Sequence, residues 1–195
     1  ACEHILSKTL VKPGDVVPMN YHFTTTKTHI TLCGGRVEEI FTDEAIKTTS
    51  DCPFKGNMDL VKLEQIIKEV GVEHIPFVRI ERGTNLIGGQ PVSLENVEEV
   101  SKICKKHGIR LMLDASLMTD NLYFNKIREE KCADMSIEEI AHAICDCADI
   151  IYFSARKLGS AKGGGIVMDD VELFNKMKNL VTIYEGFLTY GGMST

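Results

Sequence analysis

Six short apolar runs separated by helix-like segments constrain the fold of this chain more than any other feature. The runs are rich in Val, Ile and Phe, and they have the length of β-strands. They lie near residues 15–22, 36–41, 76–81, 109–114, 149–154 and 164–168. Between them, apolar residues recur at helical spacing in Asp59–Val70, Leu94–His107, Ser136–Cys147 and Val171–Val181. Strands that alternate with helices over short connections predict an α/β fold, with a mainly parallel sheet covered by helices on both faces.

Three of these helices begin with capping signals. Asp59 precedes the first, and Ser93 followed by Asn96 precedes the second. Ser136 is followed three residues later by Glu139, which is the pattern of a capping box. These residues predict where the helices start.

Length and charge describe one ordinary globular domain. The 195 residues contain neither a repeat nor a Pro/Ser-rich linker, and 22 basic against 28 acidic residues give a net charge of −6. No apolar run approaches the roughly 20 residues that a bilayer span needs, and the opening residues lack the pattern of a signal peptide. We therefore expect neither a membrane nor a nucleic acid as a partner.

The seven cysteines show no repeating spacing, which is typical of reduced thiols in a cytoplasmic protein. Cys145 and Cys147 are the closest pair. On a helix, residues two apart project to different sides, so this pair cannot share one metal ion. We expect structural thiols and no metal site.

Polar side chains follow the ends of several predicted strands. Asp114 ends one strand, and Lys157 comes just after the next. Asn85 follows an earlier strand, and Phe23 with its threonines follows the first. Because ligands of parallel sheets bind outside the carboxyl ends of the strands, these residues are expected to meet at one edge.

An acid and a lysine in these positions suit pyridoxal 5′-phosphate (PLP). The amine of Lys157 can form the Schiff base, and Asp114 can keep the pyridine nitrogen protonated, which makes the ring an electron sink. Phe23 could stack on the ring, Ser154 could bind the phosphate, and Asn85 could bind the phenolic oxygen.

Each residue taken alone also has an ordinary structural interpretation. A strand-end Asp114 often caps a helix or accepts a backbone N–H, and an isolated Lys157 is usually solvated. Phe23 fits a core, and the threonines Thr24–Thr26 fit a strand. Only the joint placement of these residues favours the cofactor.

Two glycine-rich segments are not phosphate loops. Gly163-Gly164-Gly165 is followed by a strand and by no Lys-Ser/Thr pair, so neither a Walker A loop nor a dinucleotide motif fits. We expect a close backbone approach there. Gly88-Gly89-Gln90-Pro91 predicts a tight turn before a helix.

Seven segments, taken in order and spacing, resemble the tryptophanase and tyrosine phenol-lyase family of PLP-dependent β-eliminating lyases, and the resemblance covers nearly the whole chain. The segments are YHFTTTKTH (21–29), FKGNMDLVKLEQII (54–67), NLIGGQPVS (85–93), LMLDAS (111–116), NLYF (121–124), FSARK (153–157) and YEGFLTYGGM (184–193).

The resemblance implies roles for the strand-end residues. It makes Lys157 the Schiff-base lysine that later moves the α-proton, Asp114 the partner of the pyridine nitrogen, and Phe23 the stacking aromatic residue. The implied reaction cleaves a carbon–carbon bond of an amino acid and releases pyruvate and ammonia.

Four further residues take implied roles near the cofactor. Asn85 would contact its phenolic O3′ and Ser154 its phosphate. Thr24 would lie close to the leaving group of the substrate as a catalytic residue. Arg156 stands where the family has a lysine beside the Schiff-base lysine, so the charge is kept although the donor geometry differs.

Two positions depart from the family pattern. Leu117 replaces an arginine near O3′ and can neither donate a hydrogen bond nor carry charge. Lys162 replaces an asparagine associated with a monovalent-cation site, and its ammonium would compete with K⁺. We expect the usual cation site to be lost.

The resemblance also implies that residues 1–195 form the PLP-binding large domain of a longer enzyme. The phosphate loop of the N-terminal arm and the small C-terminal domain are not in this sequence, so we expect an active homo-oligomer (dimer or tetramer) only for the longer protein.

The leading hypothesis is thus a β-lyase acting on an amino acid. Another PLP enzyme of fold type I, such as an aldolase or aminotransferase, stays open as an alternative, as does a catalytically silent paralogue.

Overall fold

The computed structural model describes residues 1–158 and 162–186, in which a six-stranded sheet lies between two layers of helices. The strands are β1 (Val16–Met19), β2 (Arg36–Glu39), β3 (Val78–Glu81), β4 (Leu111–Asp114), β5 (Ile150–Ser154) and β6 (Gly164–Met168). The helices are α1 (Cys2–Leu10), α2 (Thr24–Leu32), α3 (Leu60–Val70), α4 (Leu94–His107), α5 (Met118–Arg128), α6 (Ile137–Cys145), α7 (Ala155–Leu158) and α8 (Val171–Glu185).

The sheet has the strand order β2-β1-β3-β4-β5-β6. The first five strands in this order pair in parallel, and β6 pairs antiparallel with β5 at one edge. The predicted fold class, an α/β fold with a mainly parallel sheet, is confirmed.

The two faces of the sheet carry separate apolar cores. One core packs Val17, Met19 and Met112 against Ile5 of α1 and Leu173 of α8. The other core lies under α3, α4 and α6 and contains most of the remaining buried aliphatic side chains: Leu63, Ile67, Val78, Ile80, Val97, Val100, Leu111, Leu113, Ile140 and Ile144. Each helical layer therefore shields one face of the parallel strands from water.

The predicted helix starts are confirmed in atomic detail. The Asp59 carboxylate accepts the N–H groups of Val61 and Lys62. The Ser93 hydroxyl accepts the N–H of Asn96. Ser136 forms the complete capping box with Glu139.

The strand interpretation of Thr24–Thr26 is wrong, because these residues begin α2. Thr26 and Ile30, one turn apart, are buried under α1, and the hydroxyl groups of Thr25 and Thr26 donate to the Glu3 carboxylate. Tertiary contacts thus outweigh the β-propensity of threonine.

The predictions for the two glycine-rich segments, a tight turn and a close backbone approach, are confirmed. Gly88 and Gly89 have positive φ angles of 90° and 69° in the tight turn before α4. A Cβ at Gly164 would collide with the backbone carbonyl of Phe153, so β6 approaches β5 closely because this residue has no side chain.

Candidate cofactor site

The carboxyl ends of β3, β4 and β5 meet at one edge of the sheet. Parallel pairing places Glu81 beside Asp114, and Asp114 beside Tyr152. Paired residues of neighbouring strands share a face, so these three side chains lie on the face covered by α1, α2 and α8. Of the residues predicted to meet at this edge, Asp114 lies among these three side chains.

Asp114 lies deep in this edge and is 4% exposed. Its Oδ2 accepts hydrogen bonds from Arg79 Nη2 at 2.5 Å and from the Tyr152 hydroxyl at 2.9 Å. Its Oδ1 accepts the backbone N–H of Ser116 at 3.0 Å. A carboxylate oxygen can accept two hydrogen bonds, so Oδ1 retains capacity for one further donor.

Arg79 is the cation of this buried cluster, and sequence reasoning missed it. The side chain is fully buried; Nε donates to the Tyr152 oxygen at 2.8 Å and Nη1 to the Tyr21 carbonyl at 3.3 Å. Burial lowers the pKa of Arg79, but Tyr152, Asp114 and Glu81 outweigh that effect and hold it above its ordinary value. Arg79 therefore remains charged.

Glu81 is a second carboxyl group at this edge, 3% exposed. Its Oε1 accepts the backbone N–H of Asn85 at 3.2 Å, and its Oε2 lies 3.5 Å from Arg79 Nη1. Among the residues described, Oε2 has no hydrogen-bond donor. Burial raises the pKa of Glu81, and the positive charges of Arg79 and Lys157 oppose this rise.

Lys157 and Phe23 are brought together from distant parts of the chain. Lys157 lies on α7, which begins directly after β5, and Phe23 is the residue that precedes α2. The Lys157 Nζ lies 4.8 Å from the centroid of the Phe23 ring, within the range of a cation–π contact. Lys157 and its neighbour Arg156 are exposed.

The other predicted residues surround the same edge. The backbone N–H of Ser154, the last residue of β5, donates to the Ser116 hydroxyl at 3.1 Å. Asn85 begins a 3-10 turn after β3, and Thr24 is the exposed first residue of α2.

Leu117 and Lys162, the two residues that depart from the family pattern, lie in different parts of the structure. Leu117 precedes α5 and lies against Gly83, where an added Cβ would be 2.9 Å from the Leu117 Cβ. Lys162 is exposed in the turn before β6. Of the resembling segments, the end of YEGFLTYGGM lies outside the described residues.

All seven cysteines are free thiols. Within the described part of the chain, no three His, Cys, Asp or Glu side chains form a cluster that could hold a metal ion. No helix among residues 1–158 and 162–186 is long and apolar enough to cross a membrane.

Solved structures with the same architecture share little sequence with this chain. Cystalysin from Treponema denticola, whose structure contains pyridoxal 5′-phosphate, is 14% identical with a TM-score of 0.63, over 98% of this chain and 44% of that one. A PLP-dependent aminotransferase from Streptococcus suis is 18% identical with a TM-score of 0.64, over 93% and 42%. At these identities the likeness shows the fold.

Sequence comparison is more specific. A tyrosine phenol-lyase from Clostridium tetani is 43% identical and one from Nostoc punctiforme 40% identical, each over 98% of this chain. The chain spans 42% and 41% of the length of these two relatives. The model of the beta-eliminating lyase family matches residues 1–194. The chain therefore belongs to the beta-eliminating lyase family.

Proposed function

We propose that this chain binds pyridoxal 5′-phosphate and that the whole protein is a carbon–carbon β-lyase acting on an amino acid, with release of pyruvate and ammonia. One observation carries the proposal. In a chain of the beta-eliminating lyase family, buried Asp114 ends β4 while Lys157 follows β5 and lies over Phe23.

The hydrogen bonding of Asp114 fits a PLP ring. Its Oδ2 is occupied by Arg79 and Tyr152, whereas Oδ1 has accepted only the Ser116 N–H. One acceptor position therefore remains for the N–H of a pyridinium ring. Because the carboxylate is fixed by three donors, it would be positioned before the cofactor arrives.

Lys157 and Phe23 would contact the aldehyde carbon and the ring face of the cofactor. Lys157 would provide the amine for the Schiff base, and the Phe23 ring offers an aromatic face beside it. Arg156 adds a second positive charge on α7, suited to the cofactor phosphate. The Ser154 hydroxyl at the end of β5 would bind that phosphate, and the Asn85 amide would bind O3′.

When bound, PLP supplies an electron sink for the bonds at the substrate Cα. The protein contributes orientation and proton transfer. Lys157 would carry the proton removed from Cα, Asp114 would hold a proton at the ring nitrogen, and the Thr24 hydroxyl would lie near the leaving group.

An aromatic amino acid is the substrate class that we propose. This step rests on the 40–43% identity to proteins named tyrosine phenol-lyase. A homo-oligomeric state and a cytoplasmic location complete the proposal. The seven free thiols are typical of a reducing compartment.

The activity is tested on the full-length natural protein loaded with PLP. We expect tyrosine or tryptophan to yield pyruvate, ammonia and the free arene, measured by a lactate-dehydrogenase-coupled assay and chromatography of the arene. A loaded protein that releases no pyruvate from any aromatic or sulfur amino acid would contradict the lyase and favour an aldolase, an aminotransferase or a silent paralogue.

Dependence on K⁺ is a separate prediction. Lys162 stands where the resemblance places a residue of the monovalent-cation site, and an ammonium group repels K⁺. We expect the same turnover rate in K⁺ and in tetramethylammonium buffers. Lys162→Asn removes the charge and is the matched variant. Strong K⁺ activation of the unmodified protein would show that the argument from Lys162 is wrong.

A further inference from the structure

Arg79 connects the candidate cofactor site to the interior of the sheet. Its guanidinium contacts three other strands: Asp114 on β4, Tyr152 on β5, and the Met19 sulfur on β1 at 4.0 Å. The side chain is completely buried. Burying an unpaired charge costs free energy of folding, so the role of Arg79 follows from the groups that pair with it.

The charge of Arg79 is directed mainly at Asp114. Nη2 lies 2.5 Å from Asp114 Oδ2, whereas Nη1 lies 3.5 Å from Glu81 Oε2 without forming a hydrogen bond to it. Burial raises the pKa of Glu81. The contact at 2.5 Å makes Asp114 the nearer and therefore the main counterion of Arg79.

We propose that Arg79 is a positioning residue, which holds Asp114 through Oδ2, presents Oδ1 to the ring nitrogen of PLP, and weakens the attraction of Asp114 for the ring proton. This inference rests on the proposed function for the cofactor itself. Its physical basis is that a carboxylate already neutralised by a guanidinium and bonded to a phenol is a weaker acceptor for a pyridinium N–H.

The first test uses the full-length natural protein without PLP and measures the pH dependence of its stability. The ionisable groups around Arg79 are Glu81, Asp114, Tyr152 and, through the Tyr152 hydroxyl, Glu3 of α1 at 3.4 Å; the charge of Lys157 reaches Glu81. In Arg79→Met the buried carboxyl groups lose their cation, so ionising them in the folded chain costs more. The stability deficit relative to the unmodified chain should grow as pH rises from about 5 to about 8.

Arg82 provides a matched control for that test. It is equally buried, donates to Asn125 Oδ1 at 2.6 Å, and forms no ion pair with the residues that the structure describes. Burial lowers its pKa to about 10, above the tested range. The carboxyl group near Arg82 is Glu129, which accepts from Asn125 Nδ2 at 2.9 Å and forms no direct ion pair with Arg82. Arg82→Met should therefore show a weaker pH dependence of its stability deficit than Arg79→Met, and a pH dependence in Arg79→Met no larger than in Arg82→Met would overturn the inference.

The second test measures the ring proton directly. With ¹⁵N-labelled PLP, the NMR shift of the ring nitrogen reports its protonation, and Arg79→Met should raise the titration midpoint by about one pH unit or more. Arg79→Lys, which keeps the charge, should stay near the unmodified protein. Arg79→Gln, which keeps a donor, replaces the methionine variant if that variant does not fold.

The outcomes of the two tests separate the inference from the proposed function. The role of Arg79 would be overturned if the titration midpoint of the ring nitrogen stayed unchanged in both Arg79→Met and Arg79→Gln. It would also be overturned if Arg79→Lys shifted this midpoint as much as the neutral variants do. Failure of the unmodified full-length protein to bind PLP would instead contradict the proposed function, and the ligand-free experiment would still decide whether Arg79 serves the carboxyl groups.

Discussion

Replacing Lys157 by alanine is expected to abolish covalent attachment of PLP to this protein. The proposed Schiff base uses the Lys157 amine on α7, directly after β5, and alanine provides none. The PLP-loaded natural protein should show a visible absorption band and, after borohydride reduction, a stable cofactor adduct on the peptide that contains Lys157. Both signals should be lost in Lys157→Ala.

The nearest other lysine in the sequence provides the control. Lys162 follows Lys157 by five residues and is exposed, so Lys162→Ala removes a reactive amine from the same part of the chain. That variant should retain the band and the adduct. Trapping of PLP on Lys162 in the unmodified protein would contradict the assignment of Lys157.

Strands β1, β4 and β5 were predictable because helices cover them on both faces, which requires nearly continuous apolar runs. Each strand lies within its predicted segment, and β6 matches it residue for residue. Strands β2 and β3 contain charged residues, so their apolar runs are interrupted. The helices α3, α4, α6 and α8 were found for a related reason, since each has one apolar stripe and three have recognisable caps in the sequence.

The remaining helices depend on tertiary contacts that the local sequence does not encode. In α2 a threonine-rich segment becomes helical because Thr26 and Ile30 pack under α1. In α5, Asn121 and Asn125 face inward and bind the Val92 carbonyl. Buried asparagines do not produce an apolar stripe, so the pattern of a core-facing helix is hidden.

The candidate site was predictable only in part. Asp114, Lys157 and Phe23 follow from the rule that ligands bind beyond the carboxyl ends of strands. Arg79 and Glu81 alternate with Val78 and Ile80, which is also the pattern of a strand with one exposed face. Only the covering layer of helices makes these two charges buried partners of Asp114.

Asp114→Asn should have the second large effect, first on stability. The amide removes the main counterion of Arg79 and leaves a buried guanidinium with Glu81 nearby. Breaking a buried ion pair costs about 3–5 kcal/mol, and Glu81 can replace part of the lost interaction, so we expect a loss of about 3 kcal/mol. Chemical denaturation of the ligand-free chain measures this loss.

The sign of the pH dependence identifies the compensating group. Glu81 has a raised pKa in the folded chain, so its contribution to stability is full at low pH and is lost as pH rises above the ordinary value of 4.5. In Asp114→Asn, Arg79 faces Glu81 alone and favours its charged form, which lowers the pKa of Glu81. The stability deficit of the variant should therefore be larger near pH 5 than near pH 8.

The same substitution should slow the chemistry while leaving attachment of the cofactor intact. Lys157 is unaltered, so borohydride trapping should persist. Loss of a buried, charge-assisted hydrogen bond costs about 1.5–3 kcal/mol, which corresponds to a rate roughly 10- to 150-fold slower. The measurement is exchange of the substrate Cα proton in D₂O, followed by NMR, with Asp114→Glu as the variant that keeps the charge. Normal exchange and normal stability in Asp114→Asn would leave Asp114 as an acceptor for the Ser116 N–H, without a part in the reaction.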